Sequence, residues 1–220
     1  AAFLAFSLVV AGLLALFGRR ELLALSTSYR DVLQDEAEHN DQLRQQAWQR
    51  IGQTELSAKT TGIIALEPLA EVVLGYLARY LNGVVAAMYV RGEDGTLTRI
   101  GAYGFAHADT EQGRILQPNE SLAAQAANEN RVVVLRELPP DYIKVGSALG
   151  ETAPRELLVA PVSNFGKIKG VIEIGFLHGV RDRDIQFMET VGASIGAAVA
   201  NVLHRQRLQA ALEEQQALNE

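Results

Sequence analysis

The spacing of apolar positions changes character along the chain, and each change predicts an element. Residues 1–17 carry one serine, no charge and otherwise apolar or small side chains. As a helix they reach roughly 26 Å, against a bilayer core of about 30 Å, so a membrane span is predicted here. Gly18, Arg19 and Arg20 follow at once, which by the positive-inside rule places the downstream chain in the cytoplasm. Residues 21–61 are polar and helix-favouring, without proline. Leu22, Leu25, Tyr29 and Val32 step by three and four, as in a two-helix seam. Glu36 and His39 interrupt the seam, and Leu43, Ala47 and Ile51 resume it, the pattern of a stutter in a coiled coil.

A second helical period fills 62–81, with Leu66, Leu69, Val73, Leu77 and Leu81 on one face. Pro68 interrupts it and predicts either a kink or a fresh start near Glu67. Asn82-Gly83 gives the stop. Beyond Gly83 the period becomes that of strands. Strands are predicted at 84–90 and 96–103 around a turn at 92–95, at 112–116, at 131–135, and at 157–162 and 168–176 around a turn at 164–166. A short helix at 120–128, capped by Asn119, interrupts them. A loop is expected over 138–153. A final helix begins near Asp182, capped by an aspartate of Arg181 to Asp184, and runs to the end.

Strands between a leading and a trailing helix, joined by mostly short turns, predict an α+β fold: an antiparallel sheet with the helices packed on one face. The other face is left to the short helix and the long loop, where a small pocket can open. The predicted division is a transmembrane helix at 1–18, a helical or coiled-coil linker at 19–61, a sheet domain at 62–200, and an output coiled coil from 201 to 220. The chain opens on Ala1 rather than Met and stops inside a polar helix, so further segments are expected at both ends.

Composition narrows the chemistry. A net charge of −6 without any basic run argues against nucleic-acid binding. The absence of cysteine removes disulfides, thiolate metal sites, cysteine nucleophiles and thioether-linked cofactors together. No phosphate-binding Gly-x-x-x-x-Gly-Lys-[Ser/Thr], no Gly-x-Ser-x-Gly elbow and no His-Glu-x-x-His occurs. Ser147 has no apparent base, and Asp141 and Glu151 read as solvated loop acids. No catalytic residue is assigned. The pocket beneath the loop is expected to use Tyr103, Phe105, Tyr142 and Leu149 as walls, with Arg155 for an anionic ligand. The competing expectations are that the aromatics fill core and that Arg155 pairs with Glu151 or Glu156.

Several stretches together carry a family likeness. Leu157 to Ile174 is an apolar strand ending in proline, a short turn, then Gly170-Val171-Ile172. It resembles the last hairpin of a GAF domain, a small-molecule-sensing fold of bacterial kinases, cyclases and phosphodiesterases. Pro139 to Ile143 with Gly146 to Gly150, Ala47 to Gly52, Tyr76 to Leu81 and Ala86 to Val90 are similar to GAF domains of membrane-bound sensor histidine kinases. The resemblance implies a regulatory segment without its own catalysis, at the inner (cytoplasmic) membrane with the GAF domain in the cytoplasm, and a downstream kinase domain in cis. The bilin-binding branch attaches its chromophore to cysteine, which is absent here, and a haem-binding version needs an axial histidine. His39 and His204 fall on outer helices, His178 at a strand end, and His107 in a loop where solvation is the expected state, so no cofactor is assigned. A cyclase or phosphodiesterase parent, a sulfoxide reductase and a purely structural dimerisation module are the alternatives.

Val191, Ile195, Val199 and Val202 line one face of the last helix, and Leu208 and Leu212 continue beyond the domain. An isolated helix of this kind is marginal in water, so a homodimer through the N- and C-terminal helices is expected.

Overall fold

The computed structural model describes residues 33–105, 114–118, 121–138, 145–147 and 150–218. The predicted membrane span at 1–17 and the first seam residues lie outside them. Among the described residues no helix is long and apolar enough to cross a membrane. The chain divides into two units, with the boundary between Trp48 and Gln49. In the first, residues 33–48 are helical, with Leu33 and Leu43 exposed.

The second unit begins with helical residues 49–60, here α1, which present Gly52 and Leu56 to the core. A turn through Gly62, at φ +84°, leads to α2 (Leu66–Leu81). Pro68 stands in the first turn of α2, where an N–H has no intrahelical acceptor, so it starts the helix rather than kinking it. The helix stops at Asn82, whose left-handed backbone lets the Gly83 N–H bond to the Ala78 carbonyl.

Then follow β1 (Val85–Arg91), β2 (Leu97–Tyr103), β3 (Ile115–Leu116), α3 (Leu122–Glu129), β4 (Val133–Leu135), β5 (Val145–Ser147), β6 (Gly150–Thr152), β7 (Glu156–Asn164), β8 (Lys167–Phe176) and α4 (Asp182–Ala217). The six-stranded sheet has the order β3-β2-β1-β8-β7-β4, and every pairing is antiparallel. Among the described residues β5 and β6 pair only with each other. They form a small hairpin inside the segment expected to be a plain loop. The residues there alternate too little for a strand period to show, and Gly146 and Gly150 mask it further.

Two caps differ from expectation. Ser121, not Asn119, caps α3, its hydroxyl accepting the Ala124 N–H at 3.1 Å. At α4 the cap position is Arg181, and Asp184 reaches back from the third helical position to accept the Arg181 backbone N–H at 3.0 Å. Asp184 is wholly buried and also holds the Arg181 guanidinium at 2.8 Å. Burial of that carboxylate is tolerable because it is both paired and hydrogen-bonded.

α2 packs over β2 and β1, and α4 over β7 and β8. Gly196 permits the close approach of α4, since a Cβ there would collide with the Ser163 carbonyl. The core on this side contains Leu69, Val73, Leu77, Met88, Ile172, Phe187, Val191 and Ile195, none more than 1% exposed. Such complete exclusion of water makes it the main source of hydrophobic stability.

Candidate functional site

Strand register sorts the side chains of the sheet between its two faces. Directly paired residues share a face, so Ala87, Glu173 and Val159 lie side by side across β1, β8 and β7. One strand position away, Met88, Ile172 and Ala160 point to the opposite face, under α2 and α4. Tyr89, two residues on from Ala87, stays on the Glu173 side, and a bulge on β2 at Ile100 brings Arg99 opposite it. The face bearing Glu173 is covered by α3, which packs on β7 and β8 through Ala123, Ala124, Ala126 and Ala127.

This α3 face is only partly closed. Its centre holds Ala87, Tyr89, Leu97, Leu157, Val159 and Val171, all buried. Around them, Phe105, Leu116, Leu122, Val133, Leu135 and Leu138 pack against the cluster yet keep part of their apolar surface in solvent. Partly covered apolar side chains with few polar groups among them are a common setting for a small ligand.

The polar group at its centre is Glu173, 8% exposed in the middle of β8. Burial pushes its carboxyl up from 4.5 to about 7, and the hydrogen bond from the Tyr89 side chain works against that rise. Among the described residues no cation pairs with it. The Arg91 guanidinium bonds to Asn128 Oδ1 at 3.2 Å, and that of Arg99 lies 6.0 Å above the Phe105 ring. Near neutral pH the group therefore stands at the point of exchanging its proton. Sequence patterning passed over it. In a strand wetted on one side, a glutamate between Ile172 and Ile174 is simply the solvent phase of the alternation. Only a sheet covered on both faces turns it into a buried acid.

The residues predicted to line the pocket do not gather at one point. Phe105 joins the rim of the α3 face. Tyr103 pairs with Ala86 and so falls on the helix side, where it lines a cleft of about 580 Å³ with Arg79, Leu81, Asn82, Phe176 and His178. Gly104, at φ +74°, lies between the two aromatics, where a left-handed residue breaks the alternation that would put both on one face. Arg155 is exposed, and its backbone N–H bonds to the Phe176 carbonyl at 2.7 Å. Tyr142 and Leu149 lie outside the described residues. Among the described residues no three metal-ligating side chains come together.

A second constellation joins the helices. The Tyr76 hydroxyl on α2 donates within reach of the Gly52 carbonyl (3.0 Å) and Glu55 Oε2 (3.1 Å) on α1. Burial first, and then the Glu55 carboxylate, raise the Tyr76 phenol above its ordinary range, so it remains a donor. The Tyr80 ring stacks on Tyr76 at 5.2 Å and meets Phe187 of α4 at 5.0 Å. Gly52 is the space these rings need: a Cβ there would come within 2.6 Å of both Tyr80 and Phe187. One aromatic knot thus ties α1, α2 and the beginning of α4 together, while α4 continues for 36 residues and leaves Leu208 and Leu212 more than half exposed.

With this geometry in place, a family model described as GAF domain matches residues 65–200. No curated protein matches the chain. Among solved structures, a domain of a phosphoenolpyruvate-protein phosphotransferase from Coxiella burnetii superposes with a TM-score of 0.59 at 16% identity, covering 72% of this chain and 96% of that one. The free methionine-R-sulfoxide reductase of Neisseria meningitidis, in complex with its substrate, gives 0.56 at 14%, covering 71% and 91%. Residues 122 to 287 of a methyl-accepting chemotaxis protein give 0.53 at 13%, covering 69% and 97%. At these identities the likeness is one of fold.

Proposed function

Since this chain belongs to the GAF domain family, a class of signalling and regulatory modules, we propose that it is the sensory relay segment of a bacterial transmembrane signalling protein. In this reading the parent is a sensor histidine kinase of a two-component system, possessing a downstream kinase domain in cis. Residues 1–17 anchor it in the inner membrane, and the sheet domain lies in the cytoplasm. Two copies associate through their N- and C-terminal helices. A ligand on the α3 face, or motion arriving from the membrane along the linker, shifts α1 and α2 against α4 and so reaches the output domain.

The observation that carries this reading is the aromatic knot. Tyr76, Tyr80 and Phe187 make the end of the linker helix, the domain and the output helix share one packed contact. Packed contacts of this kind transmit displacement because close-packed side chains rearrange between discrete states rather than deforming continuously. The exposed Leu208 and Leu212, one helical turn apart beyond the last buried residue Val202, supply the stripe that a second copy would cover.

The cysteine-free chain makes the test direct. A single Leu212→Cys substitution should give a disulfide-linked dimer on mild oxidation in membranes, whereas a cysteine on the opposite, polar side of the same turn, at Glu214, should cross-link at least tenfold less. Equal cross-linking from both positions, or none from either, would sink the dimeric relay.

A further inference from the structure

We propose that Glu173 is the recognition group of the ligand site on the α3 face, and that the ligand it takes carries a protonated amine on an apolar body. The inference rests on the reading of this face as the sensory one and adds the chemical class of what binds there.

Three observations lead to it. First, Glu173 is buried at the centre of the sheet and, among the described residues, its partner is a phenol, Tyr89. A carboxyl in such a place brings a desolvation cost that a well-packed apolar side chain would not, so it is poorly explained by stability. The other buried acid, Asp184, shows what a structural carboxylate looks like in this protein: it holds an arginine and a backbone N–H of its own helix start. Among the described residues Glu173 has no such complement, and the arginines of its face are engaged by Asn128 and by the Phe105 ring.

Second, its flanking residue on β1 is Ala87, and Ala102 pairs with Ala87 on β2. On the β1 side the neighbours of the carboxyl are therefore single methyl groups, while on the β7 side Val159 stands beside it. Third, the rim is apolar and incompletely buried, with Phe105, Leu122, Leu135 and Leu138 each presenting surface to solvent. The missing element is a cation with hydrogen-bond donors, joined to something that wets the rim poorly in water. A primary ammonium offers three N–H donors to a carboxylate and to the Tyr89 oxygen. An alkyl or aryl body would cover the rim. An anionic ligand would instead face the carboxyl directly and be repelled once it ionises.

The proton balance follows. In the empty site the carboxyl, pushed up to about 7, holds its proton at pH 6. A bound ammonium favours the carboxylate, so this proton passes to solvent as the ion pair forms, and binding at pH 6 should release about one proton per ligand.

The experiment uses the full chain in detergent or nanodiscs with named probes: butylamine, phenethylamine, L-leucine and L-phenylalanine, together with their N-acetyl forms. Binding is read by titration calorimetry at pH 6 in two buffers of different ionisation enthalpy, and by amide shifts of Tyr89, Ala127 and Val159. At least one free amine should bind with release of about one proton, and its N-acetyl form at least tenfold more weakly. In Glu173→Gln, an isosteric change whose folding is checked by its thermal melt, affinity should fall at least tenfold and proton release should vanish. If the N-acetyl probes bind as well as the amines, or the Gln variant binds amines unchanged, the amine assignment is overturned while the α3 face stands as a ligand site. If no probe shifts these amides, both are overturned.

Discussion

The two faces of the one sheet are built by different rules. Under α2 and α4 the side chains are large, apolar and sealed: Leu77, Met88, Ile172, Phe187 and Val191 have no exposed surface. Under α3 the buried helix residues are four alanines, Leu122 and the surrounding leucines are partly covered, and a carboxyl stands at the centre. Both faces come from the same strands, alternate residues going to each. The sealed face supplies the stability that allows the other to retain a group that packing alone would not select, the pattern expected where a domain reserves part of its surface for binding.

Truncating Phe187 tests this contrast most severely. Phe187→Ala removes a fully buried ring that also contacts Tyr80, and should cost about 3–5 kcal/mol in urea unfolding. Phe105→Ala, on the partly open rim, should cost only about 1 kcal/mol. Equal losses would mean that the two faces share the work of stability and would break the comparison.

Glu173→Gln should move stability the other way. The wild-type carboxyl ionises near 4.5 when unfolded but only near 7 when folded. Below pH 4.5 it is protonated in both states and costs nothing by this route. Between pH 4.5 and 7 the unfolded chain loses its proton first, so wild-type stability falls relative to the variant, and above pH 7 the difference levels off. The gap, at about 1.4 kcal/mol per pH unit, amounts to about 3 kcal/mol. Unfolding curves at pH 4 and pH 8 check it: the Gln variant should be the more stable at pH 8 by up to that amount, with the advantage gone at pH 4. A pH-independent difference would show that burial does not govern this group.

Tyr76→Phe should have the smallest effect, about 1 kcal/mol, because it removes one hydrogen bond while keeping the stacked ring. Its sharper signature is local. Amide exchange over 49–60 should quicken more than exchange over α4, since the hydroxyl is what ties α1 to α2. Uniform quickening would place the bond in general stability rather than in the helix junction.

Much of the architecture was legible because it depends on local period. The change from helical to alternating spacing after Gly83, the turn at 92–95 and the last hairpin all declare themselves in runs of four to eight residues. Pro68 left a kink or a fresh start open, and its place in the first turn of α2 decides for the start. The caps were less legible: Asn119 was expected at α3, and the Ser121 hydroxyl accepts the Ala124 N–H instead. The β5–β6 hairpin was missed because glycines hide its alternation.

The candidate site was the least legible part. Tyr103 and Phe105 look like neighbours of one pocket in sequence, yet register and the left-handed Gly104 send them to different sides of the sheet. Glu173 carries no motif that marks it in the sequence, and it is buried. What the sequence by itself determined was the set of elements, their order and the absence of cysteine chemistry, all properties of near neighbours or of composition. Which strand paired with which, which face each alternate residue joined, and therefore which carboxyl lost its water, were decided only by the tertiary structure, because desolvation is imposed by atoms far away along the chain.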